Sequence, residues 1–180
     1  MRIRSGKVEL RAFEPALSDA LYAVRNHPSV RRHLRDPQPI ARESHDAWVR
    51  ENLIEARKLH LFVVFGGTAA PAGIALVRNI HGLEAEIGVM IVEPERRRLL
   101  AYVAAHLVGY YAFEMLGLDR LLSHVPLQHK QALEFNLNCG FVATGENSDI
   151  YHVLSLSKER SRSHAAHKRF RKTRKIVVEA

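Results

Sequence analysis

One change of hydrophobic period, between residues 60 and 116, constrains this chain more than any other feature. His60 to Phe65 (HLFVVF), Ala72 to Ile80 and Leu83 to Val92 (LEAEIGVMIV) read as three strands. Gly66-Gly67 and His81-Gly82 separate them as turn signals. Such short links predict antiparallel hairpins. Beyond Pro94 the period lengthens. Leu99, Leu100, Val103, Ala104, Leu107, Val108, Tyr111, Ala112 and Met115 form a broad helical stripe. It predicts a helix over Leu99 to Leu116, with Gly117 placed to cap it.

The flanks fill in around this block. Val8 to Phe13 reads as a strand and Asp19 to Arg25 as a short helix stopped before Pro28, because the residue before proline avoids helical geometry. A further helix is expected over about Arg42 to Leu59, from Val49, Leu53 and Ala56. Arg120 to Val125 reads as a strand and Lys130 to Cys139 as a helix ending at Gly140. Phe141 to Thr144 and Ile150 to Leu156 read as a last hairpin. The expected order is β, α, α, β, β, β, α, β, α, β, β, an α+β chain.

Length and cysteine usage bound the rest. With 180 residues the chain suits one domain, large enough to bury a core without staples. Cys139 is the single cysteine, which excludes an intramolecular disulfide and a cysteine-built metal site and fits a reducing cytoplasm. The first residues, MRIRSGKVEL, hold no apolar run of the signal-peptide kind, and no stretch approaches a membrane span.

The formal net charge of +8 is unevenly placed. Residues Lys158 to Ala180 hold nine Lys or Arg and two Glu, a local charge of +7. The sequence therefore predicts a folded domain over 1–157 and a solvated basic tail over 158–180. Such a tail suits phosphate contacts with nucleic acid or an anionic membrane surface. Phe170 is its only aromatic residue, so base stacking is not its main design. His164 and His167 have metal-like spacing, but the cationic flanks disfavour a dication, and no metal site is expected.

The element order and several segments together resemble the GNAT (GCN5-related N-acetyltransferase) superfamily. Ala85-Glu86-Ile87-Gly88 is similar to the strand that ends the meander in its RimJ/RimL-like branch. Tyr111-Ala112-Phe113 and Leu116 to Leu121 are similar to the exit of its central helix, and Ala132 through Phe141 to its last conserved block. Arg25-Asn26-His27-Pro28 resembles a segment of aminosugar N-acetyltransferases of the pseudaminic acid pathway. The resemblance covers about Val8 to Leu156. It implies a central mixed, mostly antiparallel sheet flanked by helices, and acetyl-CoA as co-substrate for transfer to a primary amine, such as a protein N-terminus or an aminosugar.

It also implies site residues. Acyl transfer from a thioester needs the pyrophosphate held, the carbonyl oriented and the amine neutral. The family's pyrophosphate loop, Gln/Arg-x-x-Gly-x-Gly/Ala, is matched by Arg96, Arg97, Arg98, Leu99, Leu100 and Ala101, with Leu99 where the central glycine stands. The pantetheine arm falls to the backbone of Met90, Ile91 and Val92, and a further cofactor contact to His129. The family's acid Tyr is replaced by Asn136, which cannot protonate a thiolate. Ser123, His124, Tyr151 and His152 lie on strands bordering the expected cleft. For the general base, alternation sets Glu84, Glu86, Gly88 and Met90 on one face of their strand and Ala85, Ile87, Val89 and Ile91 on the other. Glu86 is the carboxylate nearer the expected cofactor site, and the family also implies a base on this strand.

Overall fold

The computed structural model describes residues 1–34, 36–55, 59–92 and 97–180, with backbone alone at Glu55, Arg97, Arg98 and Asn147. Its strands are β1 (Arg2–Ser5), β2 (Val8–Ala12), β3 (Leu59–Phe65), β4 (Pro71–His81), β5 (Glu84–Ile91), β6 (Arg120–Pro126), β7 (Val142–Asn147), β8 (Tyr151–Ser157) and β9 (Val177–Glu179). They form one sheet in the order β7-β8-β6-β5-β4-β3-β2-β1-β9. Every neighbouring pair is antiparallel except β5 and β6. That pair is parallel because a long helix, α4 (Arg97–Tyr110), carries the chain back across the sheet between them. A π-helical turn, Tyr111–Met115, extends α4.

Both faces of the sheet centre are covered, which is why β3 reads as a continuous apolar run and not as an alternation. On one face Val103, Ala104, Leu107 and Val108 of α4 are fully buried against Leu10, Phe62, Ala75 and Val77. On the other, α1 (Ser18–Asn26), α2 (Pro28–Arg31) and α3 (Arg42–Val49) set Leu21, Val24, Val30 and Val49 against Leu61 and Ile74. Each such valine, leucine, isoleucine or phenylalanine side chain contributes about 1.5–3 kcal/mol by leaving water.

Several boundaries move. The helix expected over Arg42 to Leu59 is regular only to Val49 and continues as a π-helical turn over Arg50–Glu55. Residues 56–58 lie outside the described residues, and Leu59 already belongs to β3. Pro28, expected only as a stop, begins α2, where a proline is preorganised for the first helical turn. β1 was too short to be read from sequence, although Ile3 and Ser5 are buried and Arg2 and Arg4 exposed.

The largest difference concerns residues 158–180. They are not a solvated tail in the structure but two helices, α6 (Lys158–Ser163) and α7 (Ala165–Thr173), followed by β9. The Ser157 hydroxyl caps α6 by accepting from the Arg160 amide at 3.1 Å. His167 and Phe170 turn inward from α7, and Phe170 joins the main core, stacking on His106 with centroids 4.5 Å apart. β9 pairs antiparallel with β1, Ile3 opposite Val178. Nine cations conceal a one-sided apolar stripe.

That packing buries histidines. The His106 Nδ1 donates to the Tyr102 carbonyl at 2.8 Å. Burial, aided by the nearby His167, pushes the His106 imidazole down to about 3; burial also lowers His167. An unfolded histidine titrates near ~6.5, so the unfolded chain takes up the proton first. Stability is therefore complete above about pH 6.5 and declines as pH falls toward the folded value. By pH 4.5, His106 alone should remove on the order of 2–3 kcal/mol. Urea titrations at pH 7 and 4.5 check this: His106→Asn should be less stable at pH 7 yet lose less on acidification. An equal acid loss in both proteins would remove His106 as the cause.

Candidate active site at a fork between two strands

β5 and β6 stay together only briefly. Their parallel pairing covers Glu84 opposite Arg120, Ala85 opposite Leu121 and Glu86 opposite Leu122. Beyond that point β5 continues beside β4 as far as Ile91, while β6 follows β8, from Ser123 opposite Leu154 to Pro126 opposite Tyr151. The strands diverge, and among the described residues β5 from Ile87 to Ile91 has no strand on its second edge. A free edge of this kind offers backbone N–H and C=O groups to an extended ligand.

A cavity of about 560 Å³ opens in the fork. Val89, Met90 and Ile91 line it from β5, and Ala101 and Tyr102 from the first turns of α4. Helix α5 (Lys130–Asn138) closes it with Ala132, Phe135 and Asn138, and α2 adds Ser29 and Val30. The volume suits a ligand of cofactor-arm size. Ala101 and Tyr102 are four and five residues into α4, whose start is of the kind that favours anions.

His129 caps α5: its Nδ1 accepts from the Ala132 amide at 3.1 Å, leaving the ring proton on Nε2. It lines the cavity with His33, the two rings 4.2 Å apart. Asn136 does not line it; its amide donates to the Ala132 carbonyl at 2.8 Å within the helix. Cys139 is at the edge of the cavity, its thiol pushed up to about 12 by burial, so it is not a thiolate nucleophile. The Tyr102 hydroxyl donates to the Ala166 carbonyl at 2.7 Å, tying the cavity wall to α7.

Glu86 occupies the last paired position, at the apex of the fork, on the face away from α4. It is outside the cavity lining. Arg78 Nη2 donates to its Oε1 at 2.6 Å and Asn79 Nδ2 to its Oε2 at 3.0 Å, while His124 Nδ1 lies 3.5 Å from Oε1. Asn79 reaches it from a left-handed backbone, φ 51°, at an irregularity in the β4–β5 register. Glu84 pairs with Arg120 at 3.2 Å on the same face.

Of the residues expected to hold the cofactor, Met90, Ile91, Ala101 and His129 converge on the cavity. Val92, Leu99 and Leu100 do not line it: Val92 packs against the α1–α3 cluster, Leu99 is exposed, and Leu100 lies over Gly66. Arg96 lies outside the described residues, and of Arg97 and Arg98 only the backbone is described, opening α4. The α2 wall was missed, although Pro28 at a helix start was its signal. Asn26 and His27 serve that wall: Asn26 exchanges two bonds with Ile40, at 2.8 and 3.1 Å, and His27 Nδ1 accepts from the Ser29 amide.

The frame is thus a sheet split at one parallel pair, with a cavity in the split. The sequence matches the model of the acetyltransferase (GNAT) domain over residues 7–142, and the chain belongs to that family. Acetyltransferases of that family use acetyl-CoA as co-substrate. None of the curated proteins compared matches the sequence. Among solved structures, a spermidine N-acetyltransferase from Vibrio cholerae in complex with CoA and spermine superposes with TM-score 0.74 at 17% identity, over 86% of this chain and 97% of that one. Apo FdhC, a nucleotide-linked sugar GNAT, gives 0.75 at 18%, over 90% and 93%. A GNAT-family acetyltransferase from Bacillus anthracis gives 0.71 at 17%, over 88% and 99%. Among the described residues no helix is long and apolar enough to cross a membrane.

Proposed function

We propose that this protein transfers the acetyl group of acetyl-CoA to a primary amine of low basicity, a protein N-terminus or an aminosugar, in the cytoplasm. The fork at Glu86 carries the reading: it leaves the β5 edge free beside a cavity wide enough for the pantetheine arm. Met90 and Ile91 would hold that arm through their backbone, Ala101 and the start of α4 the pyrophosphate, and His129 a polar group of the cofactor. The amine nitrogen attacks the thioester carbonyl, the C–N bond forms, the C–S bond breaks, the surplus proton on nitrogen passes to the base, and the released thiolate is protonated from solvent. Glu86 is the base of this reading, acting on the attacking amine at the apex through His124 or an intervening water.

One observation favours a weakly basic acceptor. Asn136 supplies no acid, so the leaving thiolate departs unaided, which its ordinary pKa of ~8.5 tolerates.

Acetyl-CoA should raise the melting temperature of the purified protein progressively with concentration, by several degrees at a hundredfold excess over Kd. CoA release is then measured against an aminosugar, an unblocked peptide and spermidine. No shift at millimolar acetyl-CoA would sink the cofactor reading and the enzyme with it. Binding without release on any amine would indicate a non-catalytic module. A second reading, an anionic macromolecular partner such as nucleic acid, rests on the exposed face of α7, where Lys168, Arg169 and Lys172 stand.

A further inference from the structure

A second cavity, of about 640 Å³, lies farther along α4 and shares no lining residue with the fork. It is walled by α4 and its π-helical turn on one side and by α6, α7 and the segment leading to β9 on the other. Its charge is one-sided. Lys158, Arg162, Arg171, Arg174 and Lys175 line it, against Glu114 as the single carboxylate among the described lining.

Those cations are unequally engaged. Arg162 and Lys158 share Glu114, at 3.3 and 3.9 Å. Arg171 donates to the Arg162 and Ser161 carbonyls, at 2.7 and 3.3 Å. Arg174 and Lys175 have no side-chain hydrogen bond or ion pair among the described residues. Five like charges around one opening repel one another, and an anion seated there would reverse the sign of that interaction.

The inner wall has different chemistry. His106 is only 4% exposed. Its Nδ1 proton goes to the Tyr102 carbonyl, so Nε2 is an acceptor, and it has no partner among the described residues. Buried acceptors are normally satisfied. Tyr110, Phe113 and Phe170 line the same cavity, and the Phe170 ring stacks on that of His106. Cations, aromatic rings and an unsatisfied acceptor in one cavity suit a molecule that combines an anion, a ring and a hydrogen-bond donor.

We propose that this cavity binds a small phosphorylated compound of the mononucleotide type, its phosphate among Arg174, Lys175 and Arg162 and its amino or hydroxyl group toward His106. The inference does not depend on the acceptor at the fork. The test is calorimetric titration of the full chain with AMP, without CoA and in 1 mM CoA. Saturable one-to-one binding, unchanged by CoA, is expected. It should weaken tenfold or more in Arg174→Ala/Lys175→Ala, and in Arg162→Ala should that double variant fail to fold, with acetyl-CoA binding retained in each. No AMP binding at millimolar concentration overturns the proposal. So does inorganic phosphate binding as tightly as AMP, which would mark a bare anion site. Loss of AMP binding in CoA would place the nucleotide in the fork instead. Binding of a single-stranded oligonucleotide, with AMP unbound, would assign the cations to a macromolecular partner.

Discussion

A chain ended after Ser157 is expected to lose cooperative unfolding or to be insoluble. Residues 158–180 look dispensable by composition, yet their removal would strip the main core of Phe170, which is 3% exposed and stacked on His106. The Phe170 ring alone should account for about 3–5 kcal/mol, the usual cost of truncating a buried phenylalanine to alanine, against a total of about 5–15 kcal/mol for a typical domain. Buried polar groups would lose their partners as well. The Tyr102 hydroxyl donates to the Ala166 carbonyl, the Cys139 carbonyl accepts from His167 at 2.6 Å, and the Gly140 carbonyl accepts from Arg160 at 2.7 Å. β1 would become an edge strand with its second row of backbone groups unpaired. Thermal and urea unfolding by circular dichroism decide the matter, with Phe170→Ala as the graded variant. A truncated chain that melts cooperatively within a few degrees of the full one would show that the segment only decorates the fold.

Replacing Glu86 by Gln should lower kcat about 100-fold once an acceptor is in hand, with acetyl-CoA affinity unchanged and partial recovery at high pH. General-base catalysis usually contributes 10²–10⁴-fold. Recovery follows from the acceptor: an α-amine with pKa of about 7.7–8.0 loses its own proton as pH rises, whereas a lysine amine near ~10.4 hardly does so in the working range. The same substitution also weakens the bonds from Arg78 and Asn79, so the unfolding midpoint must be measured alongside the rate. A lowered midpoint with an unaltered rate at pH 7 would make Glu86 a strut between β4 and β5 and take it out of the mechanism.

Glu86 also shows how far a sequence reading reaches into a site. Alternation along β5 set it on the same face as Gly88 and Met90, and the register, with Arg78 opposite Glu86 and Ile74 opposite Met90, agrees. Alternation says nothing about a neighbouring strand. That Arg78 and Asn79 both reach the carboxylate depends on the antiparallel register of β4 and on one residue with positive φ, neither of which is written in the β5 sequence. The cofactor residues divide for a similar reason. Met90 and Ile91 were placed by strand position and do line the cavity, but Leu99 and Leu100 were placed by a loop pattern, and helix rotation turns one to solvent and the other onto Gly66.

The sequence by itself determined the meander, the long helix after it, the later strands and the family, because each rests on local periodicity and on turn residues whose effects act within a few positions. Only the tertiary structure decided the rest. The split of β5 from β6 at Glu86 arises because β6 pairs onward with β8 while β5 remains with β4, a competition between strands distant in sequence. The place of residues 158–180 was likewise a tertiary matter. Charge density is a property of composition, but the burial of His167 and Phe170 depends on α4, β1 and the Cys139 carbonyl standing where α7 and β9 can reach them.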